Sequence, residues 1–276
     1  MQRVRILIAC AVTALLVSVA PAIADVFVGT PDADTLNGTS QPDQLYGEDG
    51  DDTLSGDLAN DYLEGGPGAD HIVAGPGDDL ALGGTGNDRI EGGAGRDVVY
   101  AGSGDDEVLG EDGADTIFGQ VGDDKLYGGP GNDLIYSGSG SEADPGTPPG
   151  SAETSDGDFV DAGAGNDTIV AEGGHAMLVG GLGNDTIEAR SGDMTIKAGG
   201  GNDTVRTGSG ADVIELASGH DSVKSGSGDD TIDSRDGQRD VVDCGRGADT
   251  VKADPLDKLR HCEHRDIARA RHQPPR

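Results

Sequence analysis

The sequence predicts an all-β solenoid, a stack of right-handed coils with parallel strands around a core about one side chain wide. Three observations carry that prediction. A nine-residue period runs from Gly29 to Lys252. Within it an aliphatic residue recurs at the eighth position, while glycine and aspartate recur at the fourth and sixth. Only 34% of the 276 residues are hydrophobic and 3% aromatic, with no tryptophan, too little for the interior of an ordinary globular domain of this length.

The chain opens with Arg3 and Arg5, an apolar run from Ile6 to Val19, and Pro21-Ala22-Ile23-Ala24, which offers a small-residue cleavage site after Ala24. Residues 1–24 therefore read as an export signal, with a retained anchor as the alternative because Ile6 to Ile23 approaches spanning length. Leu7-Ile8-Ala9-Cys10 looks like a lipoprotein box, but the apolar run continues well past Cys10, which favours ordinary cleavage. The mature chain is then expected outside the cell, secreted or held at the cell surface, with no membrane span of its own.

Residues 25–252 form the repeat domain. From Gly29 to Tyr136 the chain divides into twelve consecutive nonads, such as Gly47 to Ser55 (GEDGDDTLS) and Gly83 to Glu91 (GGTGNDRIE). A thirteenth begins at Ser137, is interrupted by the sixteen residues Ser141 to Asp156, and resumes at Gly157. Eight more fill Ala162 to Asp233, a ten-residue unit runs from Ser234 to Asp243, and the last ends at Lys252, giving 23 in all. The sixth position is Asp in 21 of these if Asp240 is accepted, the exceptions being Ala176 and Met194. The eighth is Leu, Ile or Val everywhere except Ala81. A disordered acidic chain could share the composition, but it has no reason to keep three positions in phase over such a length.

Each unit is half turn and half strand. Glycine at the fourth position, and usually at the second, permits a tight turn. The x-aliphatic-x triplet that follows points one side chain inward and two outward. One aliphatic per nonad makes no core alone, but coils of two nonads stack these side chains into a continuous column. Stacking also brings the turns of units n and n+2 together along each edge, lining up carboxylates and carbonyl oxygens.

Charge sharpens this picture. The chain carries 52 acidic and 19 basic side chains, a formal charge of −33. Such a balance repels nucleic acid and anionic membranes and opposes compaction unless a cation neutralises it. Hard oxygen ligands in flexible coordination suit Ca²⁺; zinc would prefer nitrogen and sulfur, and magnesium a more rigid octahedron.

These nonads resemble the hemolysin-type, or RTX, calcium-binding repeats, whose pattern is G-G-x-G-x-D-x-aliphatic-x. The likeness covers Gly29 to Lys252. It implies a parallel β-roll with multiple Ca²⁺ ions as cofactor, held by turn carbonyls and sixth-position carboxylates. The residues carried over as ligands are Asp52, Asp61, Asp70, Asp79, Asp88, Asp97, Asp106, Asp115, Asp124, Asp133, Asp158, Asp167, Asp185, Asp203, Asp212, Asp221, Asp230 and Asp249. Ala176 and Met194 fall on one edge, which should lose sites there. The first two units lack the fourth-position glycine, so Asp34 and Asp43 are weak ligand candidates, and with residues 25–28 these units are expected to form an N-terminal cap.

Residues 253–276 read as a C-terminal cap and a basic tail. Asp254-Pro255 suits a helix start, with Leu256 and Leu259 packing on the last coil. Cys244 and Cys262, the two cysteines left after signal removal, suit one disulfide stapling that cap; two separately buried thiols are the alternative.

Sorting outward positions by parity reveals one further feature. Even-numbered units gather Tyr46, Tyr62, Leu82, Tyr100, Phe118 and Tyr136 on one side of the N-terminal half. The strip could be covered from within by the 141–156 loop or the tail, or tolerated as β-propensity. Alternatively it docks a second copy or a surface polysaccharide whose sugars stack on tyrosines, an adhesive role. A catalytic role has little to stand on. The acids of the 141–156 segment read as solvated, the histidines lie on turns or outer positions, and no nucleophile or zincin motif accompanies them. The family's enzymes and toxins carry their chemistry in a separate domain, so the chain reads as a freestanding, non-enzymatic calcium-binding module.

Overall fold

A computed structural model describes residues 24–138, 157–171 and 173–267. The export segment up to Ile23, the 141–156 insertion and residues 268–276 lie outside the described residues.

Two parallel sheets of 13 strands each make up the fold, and successive strands alternate between them. The first sheet begins with Val26–Val28, Gln44–Tyr46 and Tyr62–Pro67; the second with Thr35–Thr39, Thr53–Asp57 and His71–Pro76. Away from the insertion and the C-terminal end, neighbours within a sheet are 18 residues apart, as in Tyr62 opposite Leu80 and Leu82 opposite Tyr100. Every unit thus stacks on the one two places along, which is the pairing the period requires. Across the insertion Lys125 faces Phe159 with its neighbours still in phase, while in the other sheet the pairing slips by one residue after Tyr136, where Gly138 faces Ala171.

The alternation inward–outward follows from strand geometry. Eighth-position side chains are almost fully buried, from Leu36 through Ile117 to Val251, and form one apolar column between the sheets. Phe27 is 2% exposed and lies at the N-terminal end of that column, so residues 26–28 enter the expected cap as a strand rather than as a loop. In the N-terminal two-thirds the strands run on into the following turn, as in Tyr62–Pro67, whereas later ones shrink to triplets such as Thr204–Arg206.

The helix expected from Asp254 is not formed, and the described residues contain no helix. Instead, Asp254 to Asp257 make a turn closed by the Asp257 amide on the Asp254 carbonyl (3.2 Å). Lys258–Arg260 and His264–Ile267 then add one strand to each sheet. The physical reason is the open sheet edge. Strand Val241–Asp243 presents unpaired backbone groups, and Leu259 fits opposite Val242 as the next inward residue. A local helix signal in four residues cannot outweigh those hydrogen bonds. Leu256, expected to pack, is 52% exposed.

Cys244 and Cys262 stand bonded at this end, with Cα atoms 5.2 Å apart. Their separation of 18 residues equals the step of the regular coils, while the strand pairing beside them runs at 17, as in Val242 opposite Leu259.

Two ladders of buried carboxylates

The sixth-position aspartate closes each turn, and its side chain folds back beneath the first-position residue. In most units space there exists because that residue is small; Leu216 above Asp221 is an exception. At Gly128, an added Cβ would sit 2.6 Å from Asp133 Oδ2 and 2.5 Å from the Ala162 carbonyl oxygen. Two acceptor oxygens therefore converge on the Gly128 Cα–H, with no N–H or O–H donor at that position. The second position supplies the reversal. Gly66 has φ of 106°, and its Cβ would strike the Glu48 carbonyl of the turn below.

Along one edge, the amide of Asp43 donates to Asp61 Oδ1 (2.7 Å), that of Asp61 to Asp79 Oδ1 (2.6 Å) and that of Asp79 to Asp97 Oδ1 (2.8 Å). The pattern continues through Asp115, Asp133, Asp167, Asp185, Asp203, Asp221 and Asp240 to Asp257. Along the other edge it climbs from Asp34 through Asp52, Asp70, Asp88, Asp106 and Asp124 to Asp158. Ala176 and Met194, both buried, bring no carboxylate, and the ladder resumes where the Met194 amide donates to Asp212 Oδ1 (2.9 Å).

Between the ends of the ladders one carboxylate oxygen is thus used and the other is not. In eighteen aspartates Oδ2 is buried without any hydrogen-bond partner. Seventeen of them belong to the set expected as ligands, and all eighteen members of that set, Asp158 included, are at most 4% exposed. The residue missed is Asp240, whose Oδ2 is buried and unpartnered like the rest. Its signal was in the sequence, since the ten-residue unit sets it 19 residues after Asp221.

Burial pushes these carboxyls upward, against the opposing pull of the amide that each accepts, to which the side chains of Thr207 and Ser225 add at Asp212 and Asp230. Asp61, Asp88, Asp106, Asp115, Asp167 and Asp240 rise to about 7. Asp124, midway along its ladder, reaches about 8, with Asp106 and Asp158 adding repulsion. Asp70, Asp79, Asp97 and Asp133 rise to about 6, as do Asp203, Asp221 and Asp230. Asp52, Asp185, Asp212 and Asp249 shift the same way. The exposed Asp78 goes the other way, held down by hydrogen bonds from Arg96.

What could satisfy these oxygens is constrained by chemistry. Turn carbonyls and carboxylates are hard, flexible oxygen donors, which fit Ca²⁺. Among the described residues no three His, Cys, Asp or Glu side chains converge on one point, so an ion must draw on backbone carbonyls as well as aspartates.

Away from the turns, the aromatic strip lies on the outer face of the first sheet. Tyr100, Phe118 and Tyr136 stack nearly parallel, with centroids 4.7 and 4.9 Å apart. Tyr46 and Tyr62 meet at a tilt, and Leu82 sits beside Tyr100.

A search of curated proteins finds no match to the chain. The profile of the RTX calcium-binding nonapeptide repeat (4 copies) matches residues 28–63, 55–89, 73–108, 82–117, 109–141, 154–187, 179–214, 195–223, 208–241 and 217–251. With stacked turns, carboxylate ladders and matches running along nearly the whole solenoid, the chain belongs to the RTX calcium-binding nonapeptide repeat family.

Proposed function

We propose that this chain is an exported, non-enzymatic calcium-binding protein that folds as an array of Ca²⁺ fills the stacked turns. One observation carries the reading: eighteen buried aspartate oxygens have no donor. An ionised carboxylate removed from water with half its acceptor capacity unmet is strongly unfavourable, and rows of them repel one another. Bound calcium supplies the positive charge and oxygen coordination that reverse both effects. Asp158 and the eighteen aspartates whose Oδ2 lacks a donor, Asp240 among them, supply the carboxylates and the adjoining turns the carbonyls. With a core this narrow, ion binding and folding are one event.

Export follows from the N-terminal segment and the cysteine pair. Folding then waits for the calcium-rich exterior. Circular dichroism of the mature chain at pH 7.5, in EDTA and then in millimolar Ca²⁺, tests the coupling. Strand signal should appear only with calcium; a full β spectrum in EDTA overturns it. N-terminal sequencing of protein recovered from culture medium should begin at Asp25.

The aromatic strip supports a second, additional reading as an attachment face. Stacking occupies the ring faces of Phe118 on both sides. Sugar rings need free aromatic faces, so this geometry favours association with another copy through ring edges over polysaccharide binding. Sedimentation of the double variant Tyr100→Ser/Phe118→Ser against the parent decides: unchanged self-association sinks this role.

A further inference from the structure

The ladders do not end as they run. In the first two units the second position is threonine instead of glycine, and neither Thr30 nor Thr39 adopts the positive φ found at Glu48, Asp57 and Gly66 in the next three. The consequence reaches the carboxylate. Asp43 Oδ2 accepts from the Thr39 amide (2.6 Å) and from its hydroxyl (2.9 Å). Asp34 Oδ2 accepts from the Thr30 amide (2.6 Å) and hydroxyl (2.8 Å) in the same way.

These hydroxyls are aimed. Thr30 Oγ1 accepts from the Asp32 amide and Thr39 Oγ1 from the Gln41 amide, which leaves each hydroxyl hydrogen for the aspartate. The carboxylates stay in nearly the interior position: a Cβ on Gly29 would lie 3.1 Å from Asp34 Oδ2 and one on Gly38 3.0 Å from Asp43 Oδ2, beside 3.0 Å for the interior Gly92–Asp97 pair, so the added donors and not a displacement set these two turns apart. At the far end of the first ladder the same thing happens with different groups. Asp257 Oδ2 accepts from the Asp254 amide (2.7 Å) and the Ser234 hydroxyl (3.0 Å).

We infer that these donors stand in for the cation, so that the ion array is bounded by metal-independent caps: Thr30 and Thr39 close it below Asp52 and Asp61, and Asp254 with Ser234 closes one edge beyond Asp240. The inference rests on the calcium reading above. Its logic is that an oxygen already holding two short donors has no lone pair free to coordinate and no unmet charge to attract an ion. A terminal turn has no neighbour on one side to complete a coordination shell, and the threonine removes the need for one.

Native mass spectrometry of the full mature chain loaded with Ca²⁺ tests this by counting ions. Asp43→Asn should leave the count at the parental value, whereas Asp61→Asn should lower it by at least one. Thr39→Gly, which frees Asp43 Oδ2 and restores the backbone freedom of the interior turns, should raise the count by one. A lower count in Asp43→Asn, or an unchanged count in Thr39→Gly, overturns the inference. The two variants act independently, so if one fails to fold in calcium the other decides. A parent that binds no calcium at all refutes the calcium reading itself, which is a different result from either.

Discussion

The backbone amide of Asp106 donates to Asp124 Oδ1 across 3.0 Å, and the equally buried Asp124 Oδ2 receives nothing. Repeated along both edges except at Ala176 and Met194, this geometry leaves eighteen buried aspartates with one carboxylate oxygen lacking a hydrogen-bond donor.

Acid should replace calcium in part. Without metal, carboxyls such as Asp61, Asp106 and Asp124 titrate at about 7, 7 and 8 in the fold, against 3.8 in the unfolded chain. The folded state therefore holds protons that the unfolded state releases. Its stability contribution is complete below the unfolded value and is lost as pH rises through the 6–8 window. Strand signal in EDTA should increase as pH falls from 8 to 5, and calcium affinity should weaken over the same range. Ellipticity and calcium titrations at stepped pH measure both; a metal-free fold that gains stability with rising pH would contradict the ladder electrostatics.

Asp124→Asn separates charge from shape. The amide keeps the Oδ1 acceptor for Asp106 while removing the most strongly perturbed ionisation, so the metal-free form at pH 7.5 should gain roughly 1–3 kcal/mol. In saturating calcium the order reverses, with fewer ions bound and a lower melting temperature than the parent. The pH at which strand signal appears in EDTA, which should rise, and the thermal melt in calcium, which should fall, would together show the crossing.

Two glycines should respond differently to alanine. At Gly183, with φ of 133°, the new methyl would fall 1.3 Å from the Gly165 carbonyl oxygen, so Gly183→Ala should prevent ordered folding of the surrounding coils even in calcium. Gly237 has φ of 90° with open space around it, and Gly237→Ala should cost only backbone strain, about 1–2 kcal/mol. Urea midpoints in calcium distinguish these outcomes.

Most of the fold was legible because the signal repeats. Ile117 and Asp115 are positioned by period alone, and each prediction made for one unit is tested by its neighbours. The sequence spoke less clearly where the period slips. Asp240 is displaced by a single inserted residue, and Lys258–Arg260 follows a shortened turn in which Asp254-Pro255 mimics a helix start. There the deciding influence, an unpaired strand edge at Val241–Asp243, comes from 17 residues away and is invisible to local propensity. Thr30 and Thr39 were visible as departures from glycine, but their meaning needed the carboxylate geometry.

The aliphatic column predicts a contrast of its own. Ile117 is fully buried between the sheets, and Ile117→Ala should lower stability in calcium by roughly 2–5 kcal/mol. Leu256, which a helical cap would have buried, is largely exposed, and Leu256→Ala should change it by less than about 0.5 kcal/mol. Equal effects from the two would restore the helix.

The cysteine pair should act locally. It joins residues 18 apart at the last coil, a loop whose closure contributes about 3 kcal/mol in the chain-entropy model. Its partners are few: beyond the staple, Lys258–Arg260 and His264–Ile267 each pair on one side only. Those strands border solvent, with Leu259 the one side chain they add to the core. The double variant Cys244→Ser/Cys262→Ser in calcium should therefore lose amide protection across residues 253–267. Residues 44–136, held by neighbours above and below, should exchange as in the parent. Hydrogen exchange read by mass spectrometry resolves the two regions, and a loss of protection throughout the solenoid would make the pair a global determinant of the fold instead of a terminal staple.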